Sequence, residues 1–264
     1  MKRKKRIRKI SIIVAVFLIV GLAGVRLVGG KGFIIRTFFN IDVTNRMKAE
    51  VYNSPDGKGS IPYRIYAPAD SVNKHLPLVV YLHGSSGKGD DNAKHLVRNS
   101  IMQTLLNDEN LVKYPCVVIA PQCPEDSGWY EDNISVLVYG LINQTIAQYK
   151  IDESRIYITG VSSGGSGTWD MIYRHPDMFA AAVPICGYAL TEDAPRLVNI
   201  PIWAFHGRLD WTSDPDYTRN MVKAIQDAGS TKIKYTEYKW ENHACWEVAY
   251  RDPELLSWIF NQKI

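Results

Sequence analysis

Short apolar runs alternate with longer stretches of helical periodicity along most of the chain. Runs such as Leu78–Leu82 are apolar throughout, which is typical of strands buried on both faces. The candidate strands lie at 50–53, 61–66, 78–82, 117–120, 155–159, 180–185, 202–205 and 232–238, and the candidate helices at about 93–107, 133–149, 168–174, 215–228 and 251–262. Alternating strands and helices predict an α/β fold, with a mostly parallel, twisted sheet covered by helices on both faces.

The first 30 residues follow a different pattern. Seven lysines and arginines precede sixteen uncharged residues, 10–25, and this order is typical of a signal peptide or a short membrane anchor. The positive-inside rule keeps the N-terminus cytoplasmic and places the following domain outside. We therefore expect an N-terminal hydrophobic helix in residues 1–30, favouring an uncleaved signal anchor over a signal peptide cut after Ala23. A linker at 31–45 and one α/β domain at 46–264 would follow.

Charge is distributed unevenly between these two parts. The chain as a whole carries a net charge of +4, but ten of its 31 basic residues and one of its 27 acidic residues precede residue 46. The remaining 21 basic and 26 acidic side chains give the domain a balance of −5. A basic nucleic-acid-binding face is therefore not indicated, and we expect no nucleic-acid partner.

One glycine-rich turn has the pattern of a nucleophile elbow. A short apolar strand leads into Gly160-Val161-Ser162-Ser163-Gly164, and a helix-like stretch follows. Strand, tight turn and helix form the context that a G-x-S-x-G nucleophile requires. A phosphate-binding turn is the alternative, but the lysine of the P-loop pattern is missing here. We therefore interpret Ser162 as a catalytic nucleophile.

A nucleophilic serine needs a base, and the base needs a carboxylate that fixes its tautomer. The chain order of nucleophile-elbow enzymes is serine, acid, histidine. His243 follows the last candidate strand and fits that order, and Asp210 follows the strand at 202–205. Asp214 and Asp216 are competitors for the acid, but Pro215 suggests that they cap the next helix instead. His83 and His206 each precede a glycine at a strand end, where a histidine bonded to the backbone is the interpretation we favour.

Two backbone N–H groups are candidates for the oxyanion hole. The first is that of Ser163, directly after the nucleophile, and the second comes from the loop after the strand at 78–82. We select Ser85 for the second, with Ser86 next. Tryptophans flank the same strand ends and could line a cleft for an acyl or phenolic group; these are Trp129, Trp211 and Trp246. Simple packing of loops onto the sheet is an equally good interpretation of each ring.

Several further motifs occur in register with the elbow. They are Leu82-His83-Gly84, Gly89-Asp90-Asp91-Asn92, Ala120-Pro121-Gln122-Cys123-Pro124, Gly164-Gly165-Ser166-Gly167-Thr168-Trp169-Asp170, Arg174-His175-Pro176, Phe205-His206-Gly207 and His243 followed by Trp246. In these motifs residues 46–264 resemble the α/β-hydrolase branch of feruloyl and acetyl-xylan esterases, polyhydroxybutyrate-depolymerase-like esterases and proteins labelled predicted peptidases. The resemblance implies the α/β-hydrolase fold and a triad of Ser162, Asp210 and His243. Ser163 departs from the family, which more often has Met or Gln there; because a backbone N–H is needed, we expect catalysis to survive.

The leading hypothesis is a serine carboxylic-ester hydrolase that acts on a small-molecule or polysaccharide-linked ester through an acyl-enzyme. A prolyl-oligopeptidase-like peptidase would use the same triad, and a non-catalytic surface binding module is the third possibility. No H-E-x-x-H or paired Cys/His spacing is present, so we expect no metal and no organic cofactor. The chain has four cysteines, Cys116, Cys123, Cys186 and Cys245. From the strand positions we predict no obligatory disulfide.

Overall fold

A single mixed sheet dominates the computed structural model, which describes residues 43–97 and 100–264. Eight strands lie in this part of the chain, in the spatial order β1-β2-β4-β3-β5-β6-β7-β8. Their bounds are β1 Lys48–Asn53, β2 Ser60–Tyr66, β3 Leu78–Leu82, β4 Val117–Pro121, β5 Ile156–Val161, β6 Ala181–Ile185, β7 Ile202–Gly207 and β8 Ile233–Tyr238. Each of the eight predicted strands is confirmed to within about two residues.

Strand direction divides the sheet into two parts. Strand β1 pairs antiparallel with β2, and β2 pairs antiparallel with β4. The remaining pairs are parallel, and every residue of β3, β4, β5, β6 and β7 is buried. The predicted mostly parallel sheet of the α/β-hydrolase fold is therefore confirmed. Parallel strands end at the same edge, so the loops after β3, β5, β7 and β8 meet there.

Helices cover the sheet and connect its strands. In the described residues they are α1 Val43–Arg46, α2 Ser100–Leu105, α3 Asp108–Lys113, α4 Asp132–Tyr149, α5 Ser163–Arg174, α6 Pro215–Asp227, α7 Trp246–Ala249 and α8 Leu255–Phe260. Helix α6 shows why they pack: Met221, Val222 and Ile225 recur at helical spacing and are buried. Its N-cap, Asp214, accepts a hydrogen bond from the Asp216 N–H at 2.9 Å, with Pro215 following. The predicted capping role of Asp214 is thus confirmed.

Helix α5 begins five residues earlier than predicted. The sequence pattern indicated a helix at 168–174, because glycine is a poor helix former and 164–167 contains three of them. In the structure the helix starts at Ser163, and a Cβ on Gly164 would overlap the backbone oxygen of Leu82. The glycines therefore allow the helix to lie directly against the end of β3.

The N-terminal predictions fall mostly outside the described residues. The expected hydrophobic helix in 1–30, and with it the anchor or signal peptide, lies there, as does the linker up to residue 42. The linker boundary at residue 45 stays a prediction. In the described residues, Val43–Arg46 forms α1, and the Arg46 guanidinium donates to the Leu106 carbonyl at 2.7 Å. Among the helices that the structure describes, none is both long and apolar enough to cross a membrane.

The four cysteines are buried and free. Cys116 directly precedes β4, whereas Cys123, Cys186 and Cys245 lie in loops after strands. The first is therefore at the opposite edge of the sheet from the other three, as the sequence indicated. Among the latter, the Cys186 thiol donates to the His243 carbonyl at 3.5 Å.

Candidate active site

Ser162 lies at a strained turn between β5 and α5. Its φ of 56° and ψ of −121° are costly for a residue that carries a Cβ. The turn is possible because Gly160 and Gly164 are in contact, and a Cβ on Gly160 would overlap the Gly164 carbonyl. A hydrogen bond of 2.9 Å from the Ser162 N–H to the Ile185 carbonyl fixes the turn to β6. The side chain consequently projects from the edge of the sheet where the strand-end loops meet.

A continuous hydrogen-bonded chain runs from this serine to a buried carboxylate. The Ser162 Oγ lies 2.9 Å from His243 Nε2, and His243 Nδ1 lies 2.7 Å from Asp210 Oδ2. Because a carboxylate accepts, Nδ1 carries the proton, and Nε2 is free to accept from the serine hydroxyl. The structure thus brings together the three side chains that the sequence predicted as nucleophile, base and acid, with the geometry that nucleophilic catalysis requires.

The carboxylate of Asp210 has donors on both oxygens. Oδ1 accepts from the backbone N–H groups of Thr212 and Ser213 at 2.8 and 2.9 Å, while Oδ2 accepts from His243. Burial opposes ionisation, but the Ser213 N–H, His243 and the Thr212 N–H outweigh it and hold the pKa of Asp210 below its usual value. The carboxylate is therefore ionised at neutral pH, as a partner for imidazolium should be.

Backbone contacts join the loop that carries Asp210 to the loop that carries His243. The N–H of Arg208 donates to Tyr238, and the N–H of Leu209 donates to Glu241, each at 2.9 Å. Gly207 lies against the Glu241 and Asn242 carbonyls so closely that a Cβ would overlap both oxygens. Acid and base are separated by 33 residues along the chain, and these contacts fix their relative position.

The candidate oxyanion donors lie beside the nucleophile. Ser163 is the first residue of α5, so its N–H has no acceptor within the helix. Ser85 begins the 3₁₀ turn Ser85–Gly87 after β3 and is exposed. This loop passes Ser162 closely, since a Cβ on Gly84 would lie 3.4 Å from the Ser162 Cβ. Two N–H groups from different loops could therefore reach an oxygen bonded to the carbon that Ser162 attacks.

A buried histidine supports the Ser85 loop. His83 Nδ1 donates to the Gly84 carbonyl at 2.6 Å, and His83 Nε2 accepts from the Cys123 N–H at 3.0 Å. Burial lowers the pKa of His83 to about 4, so the ring is neutral. The interpretation of His83 as a histidine bonded to the backbone is confirmed.

The three tryptophans occupy very different environments. Trp129 is 1% exposed and its Nε1–H donates to the His83 carbonyl at 2.9 Å. Its ring is therefore packed inside the protein beside His83 and not open to a cleft, and contact of Trp129 with a substrate stays a prediction. Trp211, next to Asp210, is 92% exposed. The half-buried Trp246 ring meets the His243 ring edge-on, with 5.3 Å between centroids.

One group of potential metal ligands occurs in the part of the chain that the structure describes. The Cys186 thiol and the ligand atoms of Asp210 and His243 lie within 4.8 Å of one another. Burial raises the pKa of the Cys186 thiol well above its usual value, and the Asp210 and His243 atoms already share a proton. The donor set therefore fits a proton-transfer pair better than a metal centre.

Comparison with known proteins places this geometry among esterases. The family model described as Esterase PHB depolymerase matches residues 61–210. Feruloyl esterase B of Thermothelomyces thermophilus is 27% identical over 151 residues, 53% of this chain and 48% of that protein. Poly(3-hydroxyalkanoate) depolymerase C of Paucimonas lemoignei is 43% identical over 146 residues, 52% of this chain and 34% of that protein. The chain thus spans half or less of these relatives.

A solved structure extends the similarity over more of the chain. The crystal structure of a thermostable esterase superposes with a TM-score of 0.78 and 34% sequence identity. The match covers 84% of this chain and 64% of the other. Together with the family match, it supports the α/β-hydrolase fold and an esterase relationship.

Proposed function

Because the chain belongs to the Esterase PHB depolymerase family, we propose that it is a serine carboxylic-ester hydrolase in which Ser162, His243 and Asp210 form the catalytic triad. One observation carries this proposal: the unbroken hydrogen-bonded chain from the Ser162 hydroxyl through His243 to the buried Asp210 carboxylate. The strained backbone of Ser162 and the free N–H groups at the N-terminus of α5 support the same chemistry.

The reaction follows from the positions of these groups. The Ser162 Oγ attacks the ester carbonyl carbon while its proton passes to His243 Nε2, and Asp210 stabilises the resulting imidazolium. The carbonyl oxygen becomes an oxyanion that accepts hydrogen bonds from the N–H groups of Ser163 and Ser85. His243 then returns the proton to the alkoxide as the C–O bond breaks, which leaves an acyl-enzyme. Water repeats the sequence and releases the acid.

The substrate would be a small-molecule or polysaccharide-linked ester. Relatives named as a feruloyl esterase and a polyhydroxyalkanoate depolymerase support an ester whose alcohol or acid belongs to a larger molecule. Trp211 and Trp246, beside the acid and the base, are candidates to contact it. The basic residues ahead of 10–25 support an extracytoplasmic catalytic domain at 46–264, held to the membrane by the N-terminal segment or secreted after its cleavage.

The experiment is an ester panel on the purified full chain. Wild type should hydrolyse short-chain p-nitrophenyl or feruloyl esters and be labelled covalently by a fluorophosphonate. Ser162→Ala should lose labelling and at least about a thousandfold in kcat, whereas Ser60→Ala, at the exposed first position of β2, should retain both. Labelling that persists in Ser162→Ala would contradict the assigned nucleophile. Faster cleavage of amides than of esters with the same acyl group would indicate a peptidase instead.

A further inference from the structure

A second histidine reaches the carboxylate of Asp210. His206 belongs to β7 and is fully buried, four residues before Asp210. Its Nε2 lies 3.2 Å from Asp210 Oδ2 and 3.1 Å from the Ser213 carbonyl oxygen. Its Nδ1 lies 2.7 Å from Oγ1 of Thr218, a buried residue of α6. These contacts differ from the backbone-only role that the sequence suggested for this histidine.

The partners determine where the protons of this chain lie. The Ser213 carbonyl oxygen and the Asp210 carboxylate can only accept hydrogen bonds. Nε2 of His206 must therefore carry a hydrogen, which it shares between these two acceptors. Burial lowers the pKa of His206, which leaves the ring neutral and Nδ1 unprotonated. Nδ1 therefore accepts, and the Thr218 hydroxyl must donate to it. The direction of donation runs from Thr218 to His206 to Asp210.

This chain changes what holds the carboxylate. Oδ2 accepts from both His243 and His206, while Oδ1 accepts from two backbone N–H groups. A rotation of the carboxylate about its Cβ–Cγ bond would break bonds on both oxygens at once. We propose that His206, oriented by Thr218, is a positioning residue that holds the Asp210 carboxylate in the plane from which it binds His243. This role rests on the proposed triad.

The N–H of the neutral His206 ring also reduces the negative charge that the Asp210 carboxylate presents to His243. The titratable groups that face Asp210 are His243, His206 and the buried Cys186 thiol. Of these, His206 is the one that solvates the carboxylate without taking part in proton transfer to Ser162. Loss of its N–H would leave more negative charge on Oδ2, and this would favour the protonated, inactive form of His243.

Two amide substitutions separate positioning from packing. Glutamine can place its amide N–H near the position of His206 Nε2 and so donate to Asp210. Asparagine is shorter and can replace only Nδ1, so it contacts Thr218 but does not reach Asp210. Relative to wild type, His206→Asn should lower kcat about tenfold with little change in KM. It should also move the acid limb of the kcat/KM profile upward by about half a pH unit. His206→Gln should restore most of both.

Activity is not the sole readout. The proton between His243 Nδ1 and Asp210 should give a strongly downfield ¹H NMR resonance, and His206→Asn should shift or broaden it while His206→Gln preserves it. Equal losses in the two variants, with the acid limb and this resonance unmoved, would overturn the inference and leave a purely structural histidine. An inactive wild type that Ser162→Ala does not worsen would instead overturn the proposed function. Thermal unfolding of both variants checks that they are folded.

Discussion

The same dipeptide, His-Gly, occurs where two strands of the sheet give way to loops, and it serves a different purpose in each place. His83-Gly84 directly follows β3 and leads into the Ser85 loop, whereas His206-Gly207 ends β7 and leads to Asp210. Both histidines are buried and neutral. Their protons, however, are on opposite nitrogens: Nδ1 of His83 donates to Gly84, whereas Nε2 of His206 donates to Asp210.

The difference arises from what lies across from each ring. Nε2 of His83 faces the Cys123 N–H, a donor, so it must accept. Nε2 of His206 faces a carbonyl and a carboxylate, so it must donate. A buried imidazole takes the tautomer that satisfies its neighbours, because an unpaired buried donor or acceptor is costly. His83 accordingly supports a loop, whereas His206 contacts the side chain that we propose as the catalytic acid.

The largest effect that we predict from this comparison of the two histidines is on pH-dependent stability at His83. Its pKa of about 4 is below the ordinary value of 6.5, so between these pH values the unfolded chain binds a proton that the folded chain does not. Stability should therefore fall as pH drops from 6.5 to 4, by about 3 kcal/mol from this residue. His83→Gln keeps an acceptor for the Cys123 N–H but does not titrate. In urea unfolding, the free energy of unfolding of His83→Gln should rise relative to that of wild type as the pH falls.

A matched leucine variant completes this test. His83→Leu leaves the buried Cys123 N–H without an acceptor and should lose about 2 kcal/mol even at pH 7, whereas His83→Gln should remain close to wild type there. Parallel pH profiles for wild type and His83→Gln would show that folding does not lower the pKa of His83, and would contradict a ring that stays neutral in the folded chain between pH 6.5 and 4.

The second-largest predicted effect distinguishes the glycines that follow the two histidines, because the two positions should tolerate alanine differently. Gly207→Ala would push the Glu241 and Asn242 carbonyls away and move the His243 loop, so we expect about a hundredfold loss in kcat/KM. Gly84→Ala meets Ser162 and Val161 at 3.4 Å, an ordinary contact distance, and should stay within about threefold of wild type. The measurement is steady-state ester hydrolysis. Equal rates in the two variants would mean that the base loop tolerates the displacement.

The elbow could be predicted because the residues that define it lie close together in the sequence. Gly160 and Gly164 permit the turn, the apolar run of β5 precedes it, and the chain order then selects Asp210 and His243. The strands could be predicted equally well, because each apolar run is bounded by polar turns. These features depend on residues a few positions apart.

The supporting contacts could not be predicted because they join distant segments. Trp129 reaches His83 across 46 residues and Cys123 reaches it across 40. Their spacing gives no sign of burial beneath the Ser85 loop. His206 and Asp210 are four residues apart, so the sequence could have suggested that they meet. Which nitrogen of His206 donates depends on Thr218, however, and Thr218 lies on another element. The start of α5 was missed because its glycines reflect tertiary contact with β3, which overrides helix propensity.

The smallest predicted effect is at Thr218, where two substitutions distinguish its hydroxyl from its shape. Thr218→Val keeps the side-chain volume but leaves Nδ1 of His206 without a donor, so kcat/KM should fall about threefold. Thr218→Ser retains the hydroxyl and should remain near wild type. Thr145→Val is the matched control, because Thr145 is also buried in a helix and its hydroxyl bonds to the Leu141 carbonyl at 2.8 Å. It should destabilise the fold comparably without changing kcat/KM. If Thr218→Val and Thr145→Val were indistinguishable in kcat/KM, the hydroxyl of Thr218 would have no part in orienting His206.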